Sequence, residues 1–432
     1  MSLTIGILLC IIMVVVGSVW EPKILNPITI FFMEWFIVLY LSKLNLFNII
    51  EVSDKTYTLI FIGMCMYILG FYGYSFFSQK YRLDSKKTYV LNSKVVYILA
   101  IVTMIFFFFD FSKSIVSLVS GGSLATLRES AQNGSLFSEN KVLNAIRILI
   151  AAPFSLALSA IAPANFFFNK KSKNKSLLII TIIIMLERLL SDGGRSPIIY
   201  LMMSFVICYT FSLSNGHRIK KKFFIRNGKI KIPNKYIYIS IAVLASIWLM
   251  YIITLSRSGE NTIRYSYYYF AMEPVMFEKW GNIVDNNNLI ACGMASFNGI
   301  LFTLFYLISS IFGVAYPTTW RTIYNVIEGL GTQWQTITYS GLQANSYASI
   351  FWTFYFDGRT IGIIVGMLLY GVFVATIYRN SLNRPTEKNV ALYSFTLIGV
   401  FYTFQQLIFQ NIYYSIAFLM IIFLLYKSEK KL

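Results

Sequence analysis

The sharpest chemical feature of the sequence is Ser191-Asp192-Gly193-Gly194-Arg195-Ser196-Pro197, set between two apolar runs. The two glycines permit positive φ and close backbone approach, and Pro197 suits the first turn of a following helix. Arg195 then stands at the partially positive N-terminal end of that helix, where an anion is welcome. Glu187, Arg188 and Asp192 bring three more charges to the same depth. Charges in such a place are costly unless used; the plain alternative is an interfacial arginine that snorkels to headgroups. Arg128, Arg257, Arg264, Arg321 and Arg359 are further arginines that could join Arg195 around a phosphate, each otherwise an ordinary solvated loop charge. The planar guanidinium grips phosphate oxygens in pairs and stays charged near lipid.

Carboxylates must serve as any base on that side, because the single histidine, His217, falls in a lysine-rich stretch assigned below to the opposite face. Glu260, Glu273, Glu278, Asp285, Glu328 and Asp357 are available, and spacing alone does not choose among them. Embedded Glu34 and Asp110 are expected to be paired within the helix bundle. Arg264 through Phe270 is rich in tyrosine; as a helix it places Tyr265, Tyr268, Tyr269, Met272 and Met276 on one face. Such a face suits the headgroup level of a membrane or, alternatively, stacking against sugar rings, as do Trp280, Trp320, Trp334, Trp352 and Tyr355. The four cysteines are isolated, and no group has metal-ligand spacing. Neither a Walker-type phosphate loop nor a dinucleotide fingerprint occurs, which argues against ATP or a nucleotide cofactor.

The elements that must hold these residues follow from composition. Of 432 residues 57% are hydrophobic and only 13% charged, about half the charged share of an ordinary globular chain. That excludes a soluble single-domain enzyme. Apolar runs lie near 2 to 20, 28 to 42, 57 to 77, 95 to 111, 143 to 167, 177 to 191, 197 to 214, 236 to 255, 361 to 378, 389 to 408 and 411 to 426. Each approaches the length a helix needs to cross about 30 Å of hydrocarbon. The first is read as a retained helix, since no positive n-region or cleavage site accompanies it. A further stretch, Gly293 to Ala315, is apolar but interrupted by Ser296, Asn298, Ser309 and Ser310.

Net charge is +19, and its distribution orients the chain. With the N-terminus outside, the inner segments hold 24 of the 37 basic residues and only 4 of the 18 acidic ones. The excess therefore reads as membrane orientation and not as a nucleic-acid surface. The sequence predicts an all-α polytopic bundle of about 11 to 13 helices. It divides into residues 1–255 with eight crossings, a large outer loop over 256–358 with re-entrant or surface helices, and a C-terminal helical part over 359–432.

Three local patterns, Gly193-Gly194-Arg195-Ser196-Pro197, Ser256-Arg257-Ser258-Gly259 and Asn345 through Phe354-Tyr355-Phe356-Asp357-Gly358 to Gly362, resemble those of the O-antigen and capsule repeat-unit polymerases, the Wzy family. The resemblance implies a multi-pass glycosyltransferase of a bacterial plasma membrane, acting on the outer face. Such an enzyme joins a growing glycan on a polyprenyl diphosphate carrier to a newly flipped lipid-linked repeat unit. It also implies Arg195 and Arg257 at the departing diphosphate, with Arg128 and Arg264 beside them, and an outer carboxylate, here Glu273, as base. Tyr265, Tyr268, Tyr269, Trp280, Trp334 and Tyr355 would meet the glycan, and Gly193, Gly194, Asp357 and Gly358 would form structural turns. No metal or cofactor is implied. The partners are the lipid-linked oligosaccharide, membrane lipid, a flippase and a chain-length regulator, with no nucleic acid. A flippase of lipid-linked oligosaccharide and an O-antigen ligase-like transferase are the alternatives; an acyltransferase fits less, since its usual histidine has no suitable place.

Overall fold

The computed structural model describes residues 2–78, 88–121, 141–169, 175–191, 194–213, 225–226, 229–230, 262–345 and 348–429. The expected crossing over 236 to 255 lies outside them. The helices are α1 (Ser2–Trp20), α2 (Pro27–Leu44), α3 (Asp54–Ser78) and α4 (Ser93–Val119). Then come α5 (Lys141–Ile146), joined through a π-helical turn, Arg147–Ala151, to α6 (Ala152–Phe168), followed by α7 (Lys175–Ser191) and α8 (Ser196–Leu213). The later chain forms α9 (Thr262–Ala271), α10 (Glu273–Asn286), α11 (Asn298–Phe312), α12 (Thr318–Thr332), α13 (Ser349–Asn383), α14 (Glu387–Phe401) and α15 (Ile412–Leu419). Among the described residues seven helices are long and apolar enough to cross a membrane.

Local chemistry sets the ends of these helices. Asn26 caps α2 by accepting from the Thr29 amide at 2.8 Å, and Pro27 opens the first turn; Asn45, at φ 47°, closes it in the left-handed region. Asn411 accepts from the amides of Tyr413 and Tyr414 to start α15. The apolar surface is not gathered inward. Leu8, Ile12, Val15, Phe109, Phe312 and Phe423 are all exposed, as side chains that face lipid tails would be.

Helix α13 packs along α3 at backbone contact. A Cβ at Gly371 would lie 2.5 Å from the Tyr67 carbonyl oxygen, and one at Gly70 would fall on the Leu368 carbonyl oxygen. Glycine is required at this crossing because only it lets two helix backbones touch. The first part of α13 is a separate short helix. The chain leaves helical geometry at Gly358 and Arg359 and doubles back, so that Gly362 packs on the Phe354 carbonyl and Gly366 on the Phe354 ring. The amides of Ala291 and Cys292 satisfy the end of that short helix by donating to Phe356 and Asp357 carbonyls at 2.9 and 3.0 Å. Residues 349–357 therefore form a helical arm folded back on 360–383.

Contacts join one set of helix ends. Arg379 grips both oxygens of Glu21, at 2.9 and 2.7 Å, and Lys23 donates to the Phe211 carbonyl at 3.0 Å. Strand β1 (Thr88–Leu91) pairs antiparallel with Tyr426–Glu429, and Tyr97 meets Ser176 at 2.8 Å. These are segments that charge counting places together. The opposite end gathers residues 45–53, α9, α10 and a hairpin of Gln335–Thr336 with Gln343–Ala344. There Tyr267 donates to the Leu41 carbonyl, Ile50 bonds Ile337, and Glu278 accepts from the amide and hydroxyl of Ser53 and from Thr56. A two-residue hairpin, Ile225–Arg226 with Lys229–Ile230, is the remaining sheet.

Candidate functional site

The Arg147 guanidinium emerges from the π-helical turn between α5 and α6. A π turn admits one extra residue and rotates the next side chains out of their regular positions, a device often found at functional sites. Here it aims Arg147 at α4, where it pairs with Asp110 at 3.2 Å, the two side chains only 13% and 15% exposed. Arg188, buried on α7, donates to the Ser155 hydroxyl at 2.7 Å. Both guanidiniums lie against the Phe107 ring, at 6.0 and 5.8 Å from its centre, a placement that favours cations out of water.

A cavity of about 450 Å³ opens beside this pair. Ile105, Phe106, Phe109 and Leu143 make its apolar wall, while Asp110, Lys113, Asn144 and Arg147 supply polar groups. An apolar wall beside two cations suits an amphiphile with a hydrocarbon tail and an anionic head. Asp110 is thus paired within the bundle, as expected. Sequence reasoning did not single out Lys113 or Arg147; an arginine inside the run 143 to 167 was the available signal.

The sequence-selected residues fall into several places. Arg195 is half-buried and its carbonyl accepts the first bond of α8, from the Ile199 amide at 3.2 Å. Gly194 precedes it. Gly193, Arg128 and Arg257 lie outside the described residues, as does Glu260. Arg264 donates to the Tyr268 hydroxyl at 3.1 Å and covers its ring. The tyrosine face is divided within α9: Tyr268, Met272 and Met276 are buried, Tyr268 donating to the Phe47 carbonyl at 2.8 Å, whereas Tyr265 and Tyr269, one helical turn apart, are exposed. Trp280 is buried against Trp352, with ring centres 6.3 Å apart, and Trp334 is exposed. Asn345 donates to the Gly331 carbonyl at 3.0 Å.

Tyr355 belongs to a second charged cluster. Its hydroxyl donates to both oxygens of Asp285, at 3.1 and 2.9 Å, and Asp285 also pairs with Arg359 at 3.0 Å and Lys55 at 3.7 Å. Arg359 has φ 56° and ψ −139°, a conformation natural to glycine and costly to other residues. Sequence reading offered Arg359 as one of several arginines that could join Arg195 around a phosphate; here it pairs with Asp285. Asp357 holds the adjoining turn, accepting from the Ala295 amide at 3.0 Å, the Ser296 amide at 3.1 Å and the Ser296 hydroxyl. With its partners already in place, Asp357 acts here as a cap.

Glu273 differs from the other carboxylates. It is fully buried at the start of α10, neither oxygen has a hydrogen-bond partner, and burial pushes its carboxyl well above the usual range. Its electrostatic neighbour is Glu34 of α2. The expectation that Glu34 is paired in the bundle is not met: the Thr403 hydroxyl stands near it, but neither Glu34 oxygen reaches hydrogen-bond geometry. No group of three or more metal-ligating side chains occurs among the described residues.

The helices define an all-α protein with the make-up of a membrane bundle. No family model matches the chain, and no curated protein and no solved structure is significantly similar to it.

Proposed function

We propose that this protein is a polysaccharide polymerase that joins polyprenyl-diphosphate-linked repeat units on the outer face of a bacterial plasma membrane. The observation that carries the reading is the cavity beside Asp110 and Arg147, in which an apolar wall adjoins two cationic side chains, Lys113 and Arg147. A polyprenyl diphosphate offers the matching tail and charge. In the reaction an acceptor hydroxyl attacks the anomeric carbon of the donor sugar, its proton passes to a carboxylate, and the bond to diphosphate breaks with negative charge growing on the departing oxygen. Positioned cations at that oxygen lower the barrier, a single such donor typically contributing about 3 to 4 kcal/mol. Arg195, four positions after the last residue of α7, which carries Arg188, opens α8 and is assigned to the same diphosphate.

The test is to mix purified protein with lipid-linked repeats and resolve the products by size. A polymerase gives a ladder, and Arg195→Ala removes it while leaving membrane insertion intact; Arg195→Lys recovers little, since a single ammonium lacks the fork. Normal ladders from Arg195→Ala would take Arg195 out of the site. A flippase of lipid-linked oligosaccharide is the second reading, favoured by ionisable groups at one end of the bundle and inside it, namely Arg379 with Glu21 and Glu34 beside Glu273. It predicts transfer of labelled lipid between leaflets and no ladder.

A further inference from the structure

Glu273 and Glu34 are the start of a column of buried titratable groups that runs from one end of the bundle to the other. Glu34 has Glu273 of α10, Tyr370 of α13 and the Thr403 hydroxyl as its polar neighbours. Trp35 fixes Thr403 by donating from Nε1 at 3.2 Å. Tyr370 adjoins Tyr67 of α3, ring centres 6.0 Å apart. Tyr67 adjoins Tyr393 of α14, and Tyr393 faces Tyr378 at 5.4 Å. Tyr378 stands beside Glu21, which Arg379 holds. Tyr72 also faces Glu21 and Arg379, and Cys208 faces Tyr393.

Two properties separate this column from ordinary core packing. Both oxygens of Glu34 and of Glu273, and the hydroxyls of Tyr67 and Tyr378, are buried without a hydrogen bond. An unsatisfied buried polar group is expensive, and six such atoms in a chain of neighbouring side chains are not explained by packing. The second property is position: Glu273 belongs to the helices that gather at the 45–53 end, and Glu21 to the end held by Arg379. Ionisable groups strung through a membrane bundle mark ion paths and proton relays. Side chains that both give and accept a proton, carboxyl and phenol, make up the line, and among the described residues the fixed cation that joins it is Arg379.

We propose that this column carries protons across the bundle, with Glu34 and Glu273 as the pair that takes up and passes each one. A proton entering at Glu273 moves to Glu34, each phenol gives one proton as it accepts another, and Glu21 releases one at the far end. Nothing is oxidised and no covalent bond other than O–H changes. Glycines at the crossing of α3 and α13 bring Tyr67 and Tyr370 together, since the Tyr67 carbonyl touches Gly371 directly. This inference uses nothing of the cavity beside Asp110 and Arg147; it shares with the polymerase reading only Glu273, which it makes a proton carrier and not the base of glycosyl transfer.

Reconstitution into vesicles that enclose a pH-sensitive dye, with an imposed potassium diffusion potential, tests it. Wild-type protein should change internal pH about tenfold faster than protein-free vesicles, a difference equal to about 1.4 kcal/mol in barrier height. Glu34→Gln and Glu273→Gln should return the rate to that of empty vesicles. Tyr67→Phe removes one hydroxyl without changing the packing and should slow the flux severalfold, so it decides the matter if either glutamine variant fails to fold. Wild-type flux at the empty-vesicle rate, or a Tyr67→Phe variant as fast as wild type, overturns the proposal. Ladders without proton flux would remove the path and leave the polymerase; flux without ladders would do the reverse.

Discussion

Replacing Arg147 separates a structural ion pair from a substrate contact. Arg147→Gln leaves the Asp110 carboxylate, 15% exposed, without its guanidinium at 3.2 Å. Orphaning one member of a buried pair costs about 3 to 5 kcal/mol. Asp110 keeps further contacts, so the lower end, about 3 kcal/mol, is the expected loss. Asp110→Asn added to Arg147→Gln removes the uncompensated charge and should restore most of that stability, read as the melting temperature in detergent. Ladder formation should not follow. If Arg147 also meets the departing diphosphate, the double variant still lacks one donor, worth about 3 kcal/mol, and makes ladders about a hundredfold more slowly than wild type. A stable double variant that extends glycan at the wild-type rate would refute the assignment, and the pair would be no more than a link between α4 and the π-helical turn.

Three other outcomes follow from the packing. Gly371→Val should abolish monodisperse protein on size exclusion, because its first carbon would lie 2.5 Å from the Tyr67 carbonyl; Gly73→Ala, with nothing within 4 Å, should behave as wild type. Arg359→Gly should relieve backbone strain of about 1 to 3 kcal/mol while removing one of the two cations on Asp285, so the melting temperature should change little; a fall as large as that of Asp285→Ala would show the ion pair to outweigh the strain. Burial lowers Lys23 to about 8, so the unfolded chain binds more protons than the folded one between that value and the ordinary lysine range. Stability should rise with pH across that window and be flat below it. Lys23→Met should remove the rise, and an unchanged melting profile would show the side chain to be solvated.

The helices were legible because lipid demands long apolar runs whatever the details of packing. Ten of the eleven apolar runs contain a described helix, and the joining of Glu21, Lys23, Arg379 and the 88–91 and 426–429 strands at one end agrees with charge counting. What the sequence hid depends on contacts between distant residues. Nothing local shows that Asp110 meets Arg147, or that Glu34 meets Glu273. Helical spacing alone groups the tyrosines from 265 to 269, but Tyr267 and Tyr268 turn inward to the carbonyls of Leu41 and Phe47 while Tyr265 and Tyr269 stay exposed, a division set by residues more than two hundred positions away. Asp357 and Arg359 are separated by Gly358 alone, yet one caps a turn and the other reaches Asp285.

The ribbon between Thr88–Leu91 and Tyr426–Glu429, with α3 lying along α13, constrains how the molecule is made. The partners of these early segments are synthesised some three hundred residues later. Gly70 and Tyr67 must wait in the bilayer, their backbone groove open, while some three hundred residues are translated and threaded. A translocon or insertase would have to shelter that groove. Co-expressing the chain as two halves, parted between α8 and α9, should shorten the delay and still yield the assembled protein.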